Sequence, residues 1–218
     1  MRQGWRGPGF RDHGAEVIAA LYVETHGIYR GMQGVSVWDI VRDARRYDGP
    51  YPVVAHPPCA RWGQYADGPP LARGTRTPGD DKGCFAAALA SVRQWGGVLE
   101  HPANSKAWAA FGLPSPPVAG GWMLADGHGG WTCHVEQGWY GHRARKATWL
   151  YACVPTPPLL RWGKSPPAPD VSGMDTATRR RRIKTGICQR LSHKQRAATP
   201  IEFRDLLLSI AATAKAPA

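Results

Sequence analysis

The chain has 218 residues, enough for one domain with a proper core, and its 28 Lys and Arg outnumber 16 Asp and Glu to give a formal net charge of +12. Such an excess predicts a polyanionic partner, and DNA is the one we expect. No apolar run is long enough to span a bilayer, so no membrane partner is expected. Five cysteines without a CxxC pair favour reduced thiols in a cytoplasmic protein over a disulfide framework.

Short apolar stretches alternate with helical patterns along residues 15–154. Segment 1–14 is basic, lacks the apolar core of a signal peptide and is predicted to be a flexible arm. Strands are predicted in the second half of 15–24 and at 35–40, 52–55, 98–100 and 146–152, where β-branched and aromatic residues concentrate. A helix is predicted over 79–95, started by Asp80 or Asp81 and ended by Gly96 and Gly97. The alternation predicts an α/β catalytic domain with a mostly parallel sheet.

The composition changes after residue 154. Residues 155–182 are rich in proline and then arginine, which predicts a linker, and 183–218 should form a helical segment. Its main helix is predicted over 199–214, with Thr199 as N-cap, Pro200 in the first position and Glu202 completing a capping box. An apolar stripe that includes Ile201 and Leu208 is expected to dock this helix on the body of the protein.

The stretch "VVAHPPCARWG", 53–63, carries the first candidate for chemistry. Pro57 and Pro58 end the predicted strand and stiffen the backbone, so that Cys59 follows a strand's carboxyl end, where α/β proteins bind ligands. The alternative is a structural cysteine, because free cysteines are often buried. Glu100 ends another predicted strand, and a basic cluster precedes the last one; its members are Arg143, Arg145 and Lys146.

In this order, the segments "PPC" (57–59), "EHP" (100–102) and "YGHRARKATWLY" (140–151) resemble motifs of the cytosine-5 DNA methyltransferase superfamily, in particular its small phage-type members. The resemblance covers roughly residues 18–152 and implies a Rossmann-like methyltransferase sheet in a bacterial or phage-infected cell. It implies that Cys59 adds to ring carbon C6 of cytosine. It also implies that Glu100, with a raised pKa, hydrogen-bonds the ring nitrogen and exocyclic amine, while the basic cluster holds the ring carbonyl and phosphates.

The same resemblance implies S-adenosylmethionine as the methyl donor. Glu24 and Gly27 would stand for the family's cofactor loop, and Asp39, near the second strand, would hold the ribose. The alternative for Glu24 and Asp39 is ordinary capping and solvation. The chain departs from the family in its short connection between the first two strands, about ten residues, which leaves no room for the usual helix.

Two further departures concern the basic motif and target recognition. Gly141 or His142 stands where the family has a glutamine, and a separate target-recognition domain is missing. Specificity is therefore low, or a protein partner supplies it, or the substrate is not long duplex DNA. The candidate DNA contacts are Arg61, Arg179, Arg180, Arg181 and Arg182, although a run of charge is also typical of a solvated surface.

Other functions stay open from the residues alone. A base-modifying enzyme could use the same cysteine with another donor, or the chain could be a non-catalytic DNA-binding protein on this scaffold. A zinc deaminase is disfavoured because no second cysteine lies three residues after Cys59. His56 with Cys59, or Cys133 with His134, could bind a metal, but their spacing does not require it, and no metal is predicted.

Overall fold

A computed structural model describes residues 17–69, 71–166, 175–185 and 191–214. The predicted arm at 1–14 lies outside these ranges. The described part of the chain forms one seven-stranded sheet in the order β2-β1-β3-β4-β7-β6-β5. The strands are β1 (Ile18–Leu21), β2 (Val35–Trp38), β3 (Val53–Ala55), β4 (Gly97–Pro102), β5 (Met123–Leu124), β6 (Trp131–Glu136) and β7 (Ala147–Cys153).

The α/β class is confirmed, but the sheet is mixed rather than mostly parallel. Strands β2, β1, β3 and β4 run parallel, whereas β7 is antiparallel to both β4 and β6, and β5 is antiparallel to β6. The prediction failed here because β6 and β7 are joined only by residues 137–146. Parallel neighbours need a crossover of a dozen residues or more, so this short connection produces a hairpin-like pair.

Helices cover both faces of the sheet. The helices are α1 (Cys84–Trp95), α2 (Lys106–Ala110), α3 (Thr176–Thr185), α4 (His193–Ala197) and α5 (Ile201–Ala212), with short 3-10 turns at Ala44–Arg46 and Gln137–Tyr140; α1 and α5 pack on opposite faces of the sheet. Alternate strand residues point to opposite faces. Leu99 of β4 therefore packs in the core on the α1 side with Phe85, while Val98 packs on the α5 side with Phe203.

Helix α1 begins later than the sequence suggested. The Asp81 carboxylate accepts hydrogen bonds from the backbone N–H groups of Gly83 (3.0 Å) and Phe85 (2.8 Å), which fixes a non-helical turn before Cys84. The N-cap is therefore Gly83 and not Asp80 or Asp81 as predicted, although the Asp81 carboxylate accepts from the Phe85 N–H in the first turn.

The predicted start and docking face of the last helix were wrong. Pro200 is the N-cap and offers no side-chain cap, so neither Thr199 nor a capping box begins α5. Ile201 is 56% exposed and Leu208 half-buried; the buried face consists of Phe203, Leu207, Ile210 and Ala211. The apolar face that docks therefore differs from the predicted one. It contains the residues at helical spacing from Phe203, the side chain that is fully buried against the sheet.

The predicted division at 182/183 cuts through α3, which runs from Thr176 to Thr185. Within the residues that the structure describes, no helix combines the length and apolar character needed to cross a membrane.

Candidate active site

One edge of the sheet gathers the candidate residues. The carboxyl ends of β1, β2, β3 and β4 lie there because these strands are parallel. Strand β7 runs the other way, and its register pairs Pro102 with Thr148 and Glu136 with Ala147. The start of β7 and the end of β6 therefore reach the same edge. The chain passes from β1 to β2 on one side and to β3 on the other, which makes this edge a topological switch point, the usual place for a ligand crevice.

Glu100 of β4 lies at the centre of a hydrogen-bonded cluster. It is 8% exposed, and each carboxylate oxygen has a partner: Oε2 lies 3.1 Å from His56 Nδ1, and Oε1 accepts from Gln137 Nε2 at 3.1 Å. The same Gln137 nitrogen lies 3.0 Å from Thr148 Oγ1 and donates to it. One hydrogen-bonded cluster thus joins Glu100 of β4 to His56 after β3 and Gln137 after β6, and Gln137 links it to Thr148 of β7.

The expected raised pKa of Glu100 was wrong. Burial by itself raises it, but the hydrogen bond from His56 and the nearby Lys146 ammonium lower the pKa of Glu100 below its ordinary value. Glu100 is therefore a carboxylate in the free protein. Any step in which it donates a proton requires that it first receive one.

Cys59 lies on the loop beyond β3, as predicted. The residue as a whole is exposed, but protein atoms surround the thiol closely enough that burial raises its pKa, and the Glu100 carboxylate raises it further. The Lys146 ammonium acts in the opposite direction and lowers the pKa of Cys59. The thiol form therefore dominates before substrate binds, and Lys146 favours the thiolate.

Of the predicted cations, Lys146 is the one that acts electrostatically on both Cys59 and Glu100. Its Nζ donates to the backbone carbonyls of Ala197 (2.9 Å) and Ala198 (2.8 Å), and burial lowers its pKa. Its backbone has a φ of 42°, which a lysine rarely adopts, so the hydrogen bonds and packing around it hold this conformation.

The two predicted arginines of the cluster have other surroundings. Arg145 donates from Nε to the Ser165 carbonyl at 3.0 Å. Arg143 is exposed and borders a small cavity of about 200 Å³ beside the start of α5. Lys146 is thus the member of the basic cluster whose charge is shown to act on Cys59 and Glu100.

His56 uses both of its ring nitrogens. Nδ1 faces Glu100, and Nε2 lies 2.9 Å from the Tyr29 hydroxyl. A metal site built on His56 and Cys59 would have to break one of these bonds. Among the residues that the structure describes, no group of three His, Cys, Asp or Glu side chains is arranged to hold a metal ion.

The predicted cofactor residues lie at the carboxyl ends of β1 and β2. Asp39 is 7% exposed; a hydrogen bond from the Thr25 side chain lowers its pKa, and its Oδ1 accepts from the N–H groups of Val41 (2.9 Å) and Arg42 (3.1 Å). Asp39 therefore caps the turn after β2, which is the alternative role that the sequence left open for this residue. Glu24 is exposed, and Gly27 closes a tight turn by donating its N–H to the Glu24 carbonyl.

An apolar patch adjoins these acids. Ile40 is 90% exposed and Val41 79% exposed, directly after Asp39. Large aliphatic side chains left in water beside a ligand crevice are typical of a binding surface. The exposed carboxylate of Glu24 follows the end of β1, the strand next to β2.

The predicted DNA contacts are of two kinds. Arg61 is half-buried, and its Nη1 is a buried nitrogen without a hydrogen-bond partner among the described residues. Arg179, Arg180 and Arg181 are exposed on α3, while the side chain of Arg182 lies outside the described part. Helix α3 therefore presents a basic surface to solvent.

The sequence reasoning missed Gln137 and Tyr29. A glutamine was sought at 141 or 142, whereas the buried Gln137 that binds Glu100 comes earlier, at the end of β6. Its position after the apolar run "WTCHV" was the available signal, since a glutamine ending a buried strand needs a polar partner. No local pattern links Tyr29 to His56.

Comparisons of this chain with protein-family models, with curated proteins and with solved structures each give no match.

Proposed function

We propose that this protein is a DNA cytosine-5 methyltransferase-like enzyme whose nucleophile is Cys59. One observation carries the proposal: Cys59, on the proline-stiffened loop after β3, and the buried carboxylate of Glu100, on the adjacent parallel strand β4, lie close enough that the carboxylate raises the pKa of the thiol. The motifs 57–59 and 100–102 that carry the family resemblance are thus neighbours in space. Perturbed groups in a crevice are typical of active sites.

The chemistry assigns a role to each side chain. The Cys59 thiolate attacks C6 of a cytosine that has left the base stack, and Lys146 stabilises that thiolate. Electron density moves onto the ring nitrogen N3, where Glu100 delivers a proton. The resulting enamine makes C5 nucleophilic enough to accept an alkyl group. Gln137 holds the Glu100 carboxyl in place through its second oxygen.

S-adenosylmethionine would supply the electrophilic methyl group, as the family resemblance implies. Glu24, Asp39 and Ile40 would hold it, the acids facing the ribose and the sulfonium charge, and the aliphatic side chain facing the adenine ring. Calorimetry with S-adenosylhomocysteine tests this assignment. Ile40→Ser should weaken binding about tenfold or more, because burial of such a side chain contributes about 1.5–3 kcal/mol. Leu124→Ser, an exposed position on the opposite edge of the sheet, should leave it unchanged.

Nucleic acid as the substrate is supported by the net charge of +12 and the exposed arginines of α3. A partner protein would supply sequence specificity, since the described residues past β7 form only short helices and connections.

Trapping on a modified base tests the function. DNA of mixed sequence with 5-fluorocytosine in place of cytosine, incubated with S-adenosylmethionine, should form an adduct that survives denaturation. Cys59→Ser should form none, whereas Cys153→Ser, at a half-buried position, should behave as wild type. An adduct of equal yield with Cys59→Ser would reject this function.

A second function is base modification with another donor. The short β1–β2 connection favours it, because residues 22–34 contain turns and no helix that would enclose a large cofactor. DNA with 2-pyrimidinone distinguishes the two, since this base lacks the amino group and accepts a thiolate at C6 without any donor. Adduct formation on it together with no binding of S-adenosylhomocysteine identifies the second function. DNA binding with no adduct on either base identifies a non-catalytic binding protein.

A further inference from the structure

Tyr29 from the β1–β2 connection, His56 from the loop after β3 and Glu100 from β4 form a hydrogen-bonded chain that ends at the site. The Tyr29 hydroxyl lies 2.9 Å from His56 Nε2, and His56 Nδ1 lies 3.1 Å from Glu100 Oε2. Tyr29 is 3% exposed, whereas the His56 side chain retains 14% exposure to solvent. The buried end of the chain is therefore rigid, and its middle member can exchange protons with water.

The geometry fits two arrangements of protons along this chain. Burial raises the pKa of Tyr29, so its hydroxyl keeps its proton and, when His56 is a neutral imidazole, donates it to Nε2. His56 then carries its own proton on Nδ1 and donates to the Glu100 carboxylate. When His56 is an imidazolium, Nε2–H donates to the Tyr29 oxygen instead, because a hydroxyl can be donor or acceptor. Tyr29 thus accommodates both charge states of His56.

Other charged groups near Tyr29, His56 and Glu100 are the alternative proton donors to Glu100. Arg204 and Asp205 of α5 act on Tyr29, while Lys146 and His101 act on Glu100. The Lys146 ammonium is bound to the carbonyls of Ala197 and Ala198. His101 donates or accepts through Nδ1 at Ser105 Oγ, 2.7 Å away. Among these groups, His56 is the one with a direct hydrogen bond to Glu100 and a titratable proton in that bond.

We propose that His56, held by Tyr29, is the relay residue that gives Glu100 the proton it delivers to the base. The proposal rests on the proposed function. The imidazolium of His56, protonated from solvent, first transfers its Nδ1 proton to the Glu100 carboxylate, which leaves His56 neutral. The sulfur electron pair then forms the S–C6 bond, the C5=C6 pair forms C4=C5, and the C4=N3 pair takes the proton from Glu100 at N3, which returns Glu100 to the carboxylate. Reversal of these steps returns the proton to His56, and solvent re-equilibrates it.

The test compares His56→Ala with wild type in the rate of adduct formation on 2-pyrimidinone DNA. A positioned general acid contributes about 10²–10⁴-fold, so the variant should be slower by about 10²-fold or more. Added imidazole should restore part of the lost rate, which a purely structural histidine would not allow. Tyr29→Phe should lose less than His56→Ala, because the histidine remains.

Two controls separate this proposal from the function it rests on. Cys59 alkylation and DNA affinity of His56→Ala should stay near wild type, which shows that the loop and the DNA surface are intact. His128→Ala, an exposed histidine, should leave every rate unchanged. If wild type forms adducts and His56→Ala forms them equally fast, or stays slow with imidazole, the relay is rejected while the function stands. If wild type forms none, both are rejected.

Discussion

Replacing Glu100 by glutamine should make the Cys59 thiol more reactive although it abolishes turnover. The carboxylate raises the pKa of Cys59, so removing its charge lowers that pKa and increases the thiolate fraction at neutral pH. Glutamine keeps the shape of the side chain and can still accept from His56. The variant therefore isolates the charge of Glu100 from its volume.

The magnitude follows from two opposing effects. When the pH is below the pKa of a thiol, a lower pKa increases the thiolate fraction in proportion to the acidity constant. The less basic thiolate is intrinsically less nucleophilic, but since the Brønsted slope is about 0.4–0.5, each tenfold gain in thiolate is offset only about threefold. The net expectation is a higher alkylation rate, by about threefold for each tenfold gain in thiolate fraction.

Iodoacetamide labelling followed by mass spectrometry of the peptide that contains Cys59 measures this rate as a function of pH. Lys146→Met should act in the opposite direction, because its ammonium lowers the pKa of Cys59. The reasoning is refuted if Glu100→Gln alkylates at the wild-type rate or more slowly, or if both variants shift the profile the same way. Adduct formation on DNA by Glu100→Gln should fall at least 10²-fold in the same preparations.

Three other predictions concern stability and DNA binding. Burial lowers the pKa of His101 to about 4 from 6.5, so between these pH values the unfolded chain binds a proton at His101 and the folded protein does not. The free energy of unfolding should therefore fall by up to about 3 kcal/mol as the pH drops through that window, and urea unfolding of His101→Phe over the same pH range should lack this loss. Phe203→Ala should lower the free energy of unfolding in denaturant by about 3–5 kcal/mol, because the ring is fully buried against the sheet. The exposed control Ile201→Ala should lower it by under about 0.5 kcal/mol, and equal losses would contradict the docking face described for α5. Arg180→Ala should reduce the salt slope of DNA binding by about one in fluorescence titrations, while Arg73→Ala, whose charge is paired with Asp67, should not change it; equal slopes for the two variants would argue against α3 as the DNA surface.

The strands with β-branched runs were predictable because burial on both faces of a central strand requires them. Residues 53–55 and 98–99 illustrate this. Strand β6, "WTCHVE", was not predicted because its Cys, His and Glu interrupt the apolar pattern that is typical of a buried strand. The segment is nevertheless buried from residue 132 onward. Its polar side chains are satisfied by distant partners, such as Glu136 by the backbone N–H and hydroxyl of Ser165, at 2.6 and 2.9 Å. Such pairings depend on topology, which no local window contains.

The site was predictable in its two motifs and not in its support. Cys59 follows the end of β3, as predicted, whereas Glu100 lies within β4, two residues before its end, and not at the end as predicted; both still lie on the same side of the sheet because parallel strands place their carboxyl ends together. The contributions of Gln137 and Lys146 depend on the antiparallel insertion of β7 beside β4, which brings a later hairpin to the same edge. The raised pKa expected for Glu100 failed for the same reason: burial was anticipated, but the donors that surround the carboxylate were not.

The anchoring of Lys146 by the carbonyls of Ala197 and Ala198 has a consequence for how the protein matures. During synthesis, Cys59 and Glu100 leave the ribosome long before residues 197 and 198 exist, so the cation that favours the thiolate has no fixed position in the nascent chain. The electrostatic environment of Cys59, in which Lys146 opposes the effects of burial and Glu100, is therefore complete only when residues 197 and 198 have docked. Loosening of the connection before α5 would remove this anchor from the ammonium group that favours the thiolate.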